Sequence, residues 1–312
     1  MADVPWRSTQ IGHQALFFLG EFIPAQELLE QGVALDDPLQ HGSLAFLYGH
    51  DPRVATLSWA AHVWWYLGYP DQALTRSHEA LARAQGLSHP YSLAFALGHN
   101  PWIHLYRREW QVAQEQAEAV ITVGTEQEFA QVLAQGDIQL GWALVEQGQA
   151  EEGIVQMRQG LAAWRVTGTE LWRPYYLALL AEVYGKVGQA EEGLTMLAEA
   201  LDLVRQTGER SWEVELYRLK GTLMLKQSGV RGPESAIEKE AEGCFLRAVA
   251  IARRQQAKSL ELRAVMSLSR LWQQQGKRQE ARKMLAEIYG WFTEGFDTKD
   301  LQDAKALLDQ LV

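Results

Sequence analysis

The sequence predicts an all-α fold, a stack of about seven helical hairpins closed by a C-terminal capping helix. Three observations predict it. Turn positions recur at a fixed spacing, small residues recur at fixed offsets from them, and the apolar residues between follow helical periodicity. Gly68, Arg108, Gly148, Gly188 and Ser228 stand 40 residues apart, each between two helix-like stretches. Five residues later a small residue recurs as Ala73, Ala113, Gly153 and Gly193, and seven residues earlier another recurs as Ala61, Gly141, Ala181 and Gly221. Pro101 breaks the second series in the third repeat, and Gly20 with Ala25 and Gly276 with Ala281 carry the pattern to both ends.

Each element has a physical reason. Two antiparallel helices joined by a short turn need a residue tolerant of positive φ, which favours glycine. Where the helices cross closely, a large side chain would hold them apart, so Ala or Gly occupies the contact. In the fifth repeat Leu177, Leu180 and Tyr184 share one face, and Leu194, Leu197 and Leu201 share a face of the next helix. No strand-length alternation of apolar and polar residues occurs, and the nine prolines sit mostly near helix starts or in loops. A single hairpin cannot bury its own apolar face, so neighbours must stack, and a chain of 312 residues can then form one continuous unit over 1–312.

The repeats are placed at 8–35, 52–86, 90–124, 128–168, 170–208, 211–257 and 259–293, with a capping helix at 298–311. Two insertions interrupt the period. One runs from Asp36 to Pro52, with a short helix expected over Leu44–Tyr48, and the other occupies 229–238, opening at Gly229–Pro233. Asp297-Thr298 offers the N-cap of the last helix.

Composition excludes several functions. The net charge of −10 argues against a nucleic-acid partner, because neutralising phosphates needs clustered Lys and Arg. No apolar run is long enough to span a bilayer and no signal peptide opens the chain, so a cytoplasmic protein without membrane contact is expected. Cys244 is the one cysteine and reads as a small buried residue. All eight histidines lie within the first 104 residues, but His99 and His104 are five apart and diverge around a helix, so no metal site is expected. The pairs Glu151-Glu152 and Glu191-Glu192 open second helices, where their charge complements the helix dipole. Gly276-Lys277-Arg278 lacks the leading glycine and the hydroxyl of a phosphate-binding loop. No catalytic residues and no cofactor are expected.

The Gly-x4-Ala spacing between paired helices resembles the tetratricopeptide repeat, an α-α superhelix, with a period near 40 residues. Several strings are similar to the C-terminal region of bacterial predicted ATPases that often carry a class III adenylate or guanylate cyclase domain. They are Tyr48–Pro52, Leu67–Leu74, Gly141–Leu144, Arg173–Glu182, Leu216–Gly221, Leu260–Arg263 and Tyr289–Thr298. The resemblance implies the sensor or docking arm of a multidomain signalling ATPase, whose chemistry lies in domains outside this chain.

In such solenoids the first helix of each pair lines the concave face. The positions expected there are His62, Trp65, Tyr66, Phe95, Trp102, Tyr106, Trp142, Glu146, Tyr175, Glu182, Glu215, Arg218, Arg263 and Arg270. Gln135, Lys186 and Lys226 fall on the same lines. The first half of this groove is aromatic and the second charged. A protein or peptide partner with an apolar and an acidic end would suit it. The competing reading makes the aromatics inter-repeat core and the arginines a solvated face. A small-molecule sensor, for example of a sugar stacking on tryptophan, is the alternative function, and the open faces of such a stack could also self-associate.

Overall fold

The structure, a computed structural model, describes residues 5–34, 45, 49–228 and 236–311. The sequence-predicted short helix at Leu44–Tyr48, except for Ala45, and the extension at Gly229–Pro233 lie outside the described residues. Among the described residues there are fifteen α-helices and no strand. The fold is a tetratricopeptide-like series of helical hairpins.

Two compact units divide the chain, one of residues 1–65 and 70–170, the other of 66–69 and 171–312. The first contains α1 (Pro5–Leu19), α2 (Phe22–Ala34), α3 (Pro52–Leu67, its last two residues grouped with the second unit), α4 (Pro70–Gln85), α5 (Pro90–Arg107), α6 (Trp110–Glu126), α7 (Ala130–Glu146) and α8 (Ala150–Val166). The second contains α9 (Arg173–Lys186), α10 (Ala190–Thr207), α11 (Glu213–Ser228), α12 (Ala236–Gln255), α13 (Lys258–Gln274), α14 (Arg278–Tyr289) and α15 (Lys299–Gln310). Within the units the two helices of a hairpin pack on each other, as α1 on α2, α5 on α6, α7 on α8, α9 on α10, α11 on α12 and α13 on α14.

The turns repeat more often than glycine alone reveals. Positive φ occurs at Arg108, Glu128, Gly148, Gly168, Gly188 and Gly208, every 20 residues, and again at Gln256 and Gly276. At several of them the following N–H bonds a carbonyl five residues back, as Glu109 to His104, Phe129 to Gly124, Gln149 to Leu144 and Gln189 to Tyr184, at 2.9–3.0 Å. This bond satisfies a helix-terminal carbonyl that would otherwise lack a partner. A helix of about 17 residues plus a three-residue reversal makes the step. Ser228, the fifth member of the 40-residue series, is instead the last residue of α11. Prolines open α1, α3, α4 and α5, where a missing N–H leaves nothing unsatisfied.

The second helix of each hairpin buries one stripe, and the stripe is copied along the chain. Ala73, Ser77, Ala80 and Ala84 are followed 40 residues on by Ala113, Ala117, Val120 and Gly124, then by Gly153, Met157, Gly160 and Trp164, then by Gly193, Leu197, Ala200 and Val204. The first helices are different. In α9 every residue from Pro174 to Ala181 is buried, so this helix is covered on all sides.

Small residues set the helix separation. A Cβ on Gly141 would stand 2.6 Å from the Gly153 carbonyl oxygen, and one on Gly160 would stand 2.8 Å from that of Ala134. The α7–α8 contact is therefore backbone against backbone. In the second unit Gly221 meets Phe245 and the Ala241 carbonyl, at 2.7 and 3.0 Å, in the same way.

The last helix, α15, buries Leu301, Ala304 and Leu307. Thr298 holds its N-cap position as the sequence predicts, with one difference. Its hydroxyl donates to the Gly295 carbonyl at 2.6 Å and makes no capping bond to the helix.

Gly153→Ala should destabilise the first unit by about 1–3 kcal/mol, because the added carbon meets backbone that cannot yield. Glu128→Gly should stabilise it by up to about 1 kcal/mol by relieving a left-handed residue. Urea unfolding of both variants measures the two effects.

Candidate functional site

Most of the aromatic positions predicted for the groove are interior. His62, Trp65, Tyr66, Trp102, Tyr106, Trp142 and Tyr175 are buried, while Phe95, Glu146 and Glu182 are half-buried. The indoles Trp65, Trp102 and Trp142 thus serve packing, and as placed they offer no ring face to a ligand. The physical reason is the character of the first helices, which are apolar on all sides and so are enclosed by neighbours. Trp65 stacks on Tyr106 at 4.4 Å, and in the second unit Tyr175 stacks on Trp212 at 4.1 Å.

Of the charged positions, Glu215 and Arg263 turn inward and Arg218 is half-buried, while Lys186, Lys226 and Arg270 are exposed. Glu215 receives a two-pronged pair from Arg218, at 2.7 and 2.8 Å. Arg263 donates to Asp300 of α15 at 2.6 Å and lies 3.9 Å from Glu215. Both Glu215 and Arg263 are buried, so the network ties α11, α13 and α15 together and is not a solvated face. Lys226 reaches the Gly185 carbonyl at 2.7 Å, and Lys186 lies 3.9 Å from Glu182. Arg270 alone of the predicted arginines is exposed.

What the first unit presents is a cluster of imidazole and aromatic rings on α3, α5 and the segment before α3. Asp51 fixes that segment. Its N–H donates to Ser92 Oγ at 2.8 Å, its carboxylate accepts from the Val54 N–H at 2.9 Å as the α3 cap, and Arg83 donates to both its oxygens. His50 is thereby laid flat on Phe95, with centroids 5.3 Å apart and planes 3° from parallel. Tyr91, 36% exposed, lies 6.4 Å from His50, and Phe95 lies 4.4 Å from His99. His50, Phe95 and His99 are all half-buried. Beside them Gln135 of α7 donates to the Gly98 carbonyl at 2.6 Å, and Gln139 donates to the same oxygen at 2.9 Å. Pro101 continues α5 and supplies no helical N–H, so α5 carries a perturbed turn where these two carboxamides attach.

Beneath this surface runs a hydrogen-bonded chain. His62 Nε2 and His99 Nδ1 are 2.8 Å apart, and His62 Nδ1 is 3.0 Å from the Tyr106 hydroxyl. Sequence reading missed the pair because it compared histidines along one helix, whereas His62 and His99 stand on α3 and α5. Burial holds His62 well below the usual imidazole range, with His99 adding to the effect. His99 is pushed down to about 3, by burial first and His50 second. His50 is lowered by burial and by His89, against the opposing pull of Asp51. Among the described residues no group of three His, Cys, Asp or Glu side chains is placed to hold a metal.

The second unit holds one more displaced carboxyl. Glu209, 3% exposed, accepts from the Trp172 N–H with both oxygens, at 3.2 and 3.3 Å. Burial raises it to about 8, against the Trp172 bond that lowers it.

The geometry can be set beside known proteins. No protein-family model and no curated protein sequence matches the chain. Solved structures do. The plasmid pLS20 Rap conjugation gene regulator, in complex with the Phr* peptide, has a TM-score of 0.63 at 10% identity, covering 98% of this chain and 74% of that one. A Rap protein complexed with Competence and Sporulation Factor has a TM-score of 0.61 at 17% identity, covering 98% and 87%. The apo form of RapI has a TM-score of 0.56 at 10% identity, covering 98% and 100%. The likeness is one of fold. Among the described residues no helix is long and apolar enough to cross a membrane.

Two pH dependences follow. His62 and His99 are neutral when folded and titrate near 6.5 when unfolded, so their stabilising effect is full above pH 6.5 and is lost as pH falls below it. The slope is about 1.4 kcal/mol per pH unit for each imidazole. The titratable groups facing them are Tyr106 and His50. Urea midpoints between pH 7.5 and 4.5 should fall less steeply in His99→Gln. Glu209 has the opposite sign. Its folded value lies above the unfolded one, so its contribution is full below pH 4.5 and is lost as pH rises towards 8. Glu209→Gln should therefore raise thermal stability at pH 8, by roughly 1–3 kcal/mol, and change it little at pH 4.

Proposed function

We propose that the chain is a non-catalytic regulatory scaffold that binds a peptide or protein partner at the ring cluster of its first unit. The observation that carries this reading is the half-exposed group of His50, Tyr91, Phe95 and His99 beside Gln135, held by the Asp51–Arg83 and Gly98 anchors. Aromatic rings held rigidly at a surface give large contact area at small entropic cost, which is the chemistry of binding hot spots. Rap proteins solved with a peptide share this fold over 98% of the chain, which supports a peptide as the partner class. The buried indoles Trp65, Trp102 and Trp142 favour this reading over a sugar sensor, which needs an indole face to stack on.

The strings at Arg173–Glu182 and Tyr289–Thr298 support a finer reading, that the chain is the docking arm of a signalling ATPase. An ATPase domain encoded directly upstream in the same reading frame would bear this out, and its absence would remove it.

Partner capture with the chain as bait tests the binding reading. Phe95→Ala and Tyr91→Ala should each weaken capture of the same partner roughly tenfold, as expected for hot-spot truncation, with helical circular dichroism unchanged at the assay temperature. Capture unaffected by both variants would exclude this surface. Trp102→Ala and Arg218→Ala are poor probes, since one opens the core and the other strands Glu215.

A further inference from the structure

Ile11, Ala15 and Leu19 line one side of α1 at i, i+4 and i+8, and all three are exposed, Ile11 by 67% and Leu19 by 50%. They stand nine, five and one residues before the left-handed turn at Gly20. The middle position, counted back from the turns at Gly68, Arg108 and Gly148, holds Val63, Ile103 and Ala143, and each of these is 0% exposed. Later hairpins therefore bury what α1 leaves open.

In those hairpins the outer two positions reach back to the hairpin before. Nine residues before a turn, Trp59 meets the Phe17 ring at 5.2 Å, His99 Nδ1 lies 2.8 Å from His62 Nε2, and Gln139 donates to the Gly98 carbonyl at 2.9 Å. One residue before a turn, Arg107 donates to the Pro70 carbonyl at 3.1 Å, and Gln147 donates to Gln114. This side of a first helix is thus the stacking surface for another hairpin, and on α1 it carries apolar side chains into solvent.

We propose that a second copy of the chain covers this surface, α1 against α1 about a two-fold axis. The last helix gives the reason for a symmetric contact. Away from its buried residues α15 carries the exposed pairs Lys299–Asp303 and Lys305–Asp309, the charged outer face that ends a repeat array. A head-to-tail join would set Ile11 and Leu19 against those charges and desolvate them. The line on α1 is complementary to itself instead. With two α1 helices antiparallel and the axis at Ala15, Ile11 of each copy meets Leu19 of the other, and the small Ala15 side chains let the helices approach closely. No member of the line is charged, so nothing in it repels its own copy. One helix face from each copy is small beside the roughly 800 Å² per partner of a stable interface, so the dimer is a weak one. It uses none of the rings assigned to partner binding above.

Analytical ultracentrifugation of the whole chain from about 1 to 500 µM tests it, with a monomer–dimer equilibrium expected at a Kd on the order of 10–100 µM. Leu19→Glu should weaken the dimer at least about tenfold, because it buries an unpaired carboxylate, with circular dichroism unchanged. Cysteine cross-linking in a Cys244→Ala background reads the register. Ala15→Cys should oxidise to a disulfide-linked dimer, whereas Ile11→Cys should do so only when mixed with Leu19→Cys. A chain that stays monomeric throughout, a dimer indifferent to Leu19→Glu, or Ile11→Cys linking to itself as readily as Ala15→Cys would overturn the proposal. None of these results touches partner capture through Phe95 and Tyr91, which is read in its own assay.

Discussion

The constraint on which the structure rests is the reversal of the chain in three residues. At 127–129, 147–149 and 187–189 a helix ends, turns and the next begins within that span, and a left-handed residue followed by an N–H bonded five residues back is how it does so. Once that unit of 20 residues is set, the side-chain stripes repeat in phase. Position 73 is then followed at 113, 153 and 193 by a residue with the same task, filling the crossing without holding the helices apart. Where the crossing is tightest, at Gly141 and Gly153, no side chain intervenes at all.

Enclosing the first helices has a cost, because polar groups carried inward need partners. The two units meet it differently. In the first, imidazoles, a phenol and two glutamines share hydrogen bonds around the disturbed turn at Pro101. In the second, opposite charges are paired across three helices, so that Arg263 reaches both Glu215 on α11 and Asp300 on the last helix. Removing one member of such a buried pair strands the other, which makes these groups structural first.

The repeat was legible because glycine stands at five of the eight left-handed turn positions named above, and the resemblance to tetratricopeptide repeats pointed to the right fold. The turns at Glu128 and Gln256 were harder to see, since each takes a left-handed conformation that its residue type does not announce. The groove illustrates a different limit. Helical spacing predicts Trp102 and Trp142 at matching positions of their helices, but a single line of positions carries no information about what covers it. Only the apolar character of the whole helix, as in Arg173–Lys186, signals enclosure. Likewise the partners of His62 and Arg263 lie 37 residues away on other helices, a distance that same-helix arithmetic cannot reach.

The chain Tyr106–His62–His99 holds its hydrogens in one of two directions, with the phenol either giving or receiving, and the heavy atoms need not move between them. His99 touches Phe95, and Phe95 lies under His50 at the surface. Anything that settles on those rings changes the field along the chain and favours one direction over the other. The imidazole nitrogens, whose magnetic resonance frequencies differ sharply between tautomers, are therefore a native reporter of occupancy, readable without a label or a substitution.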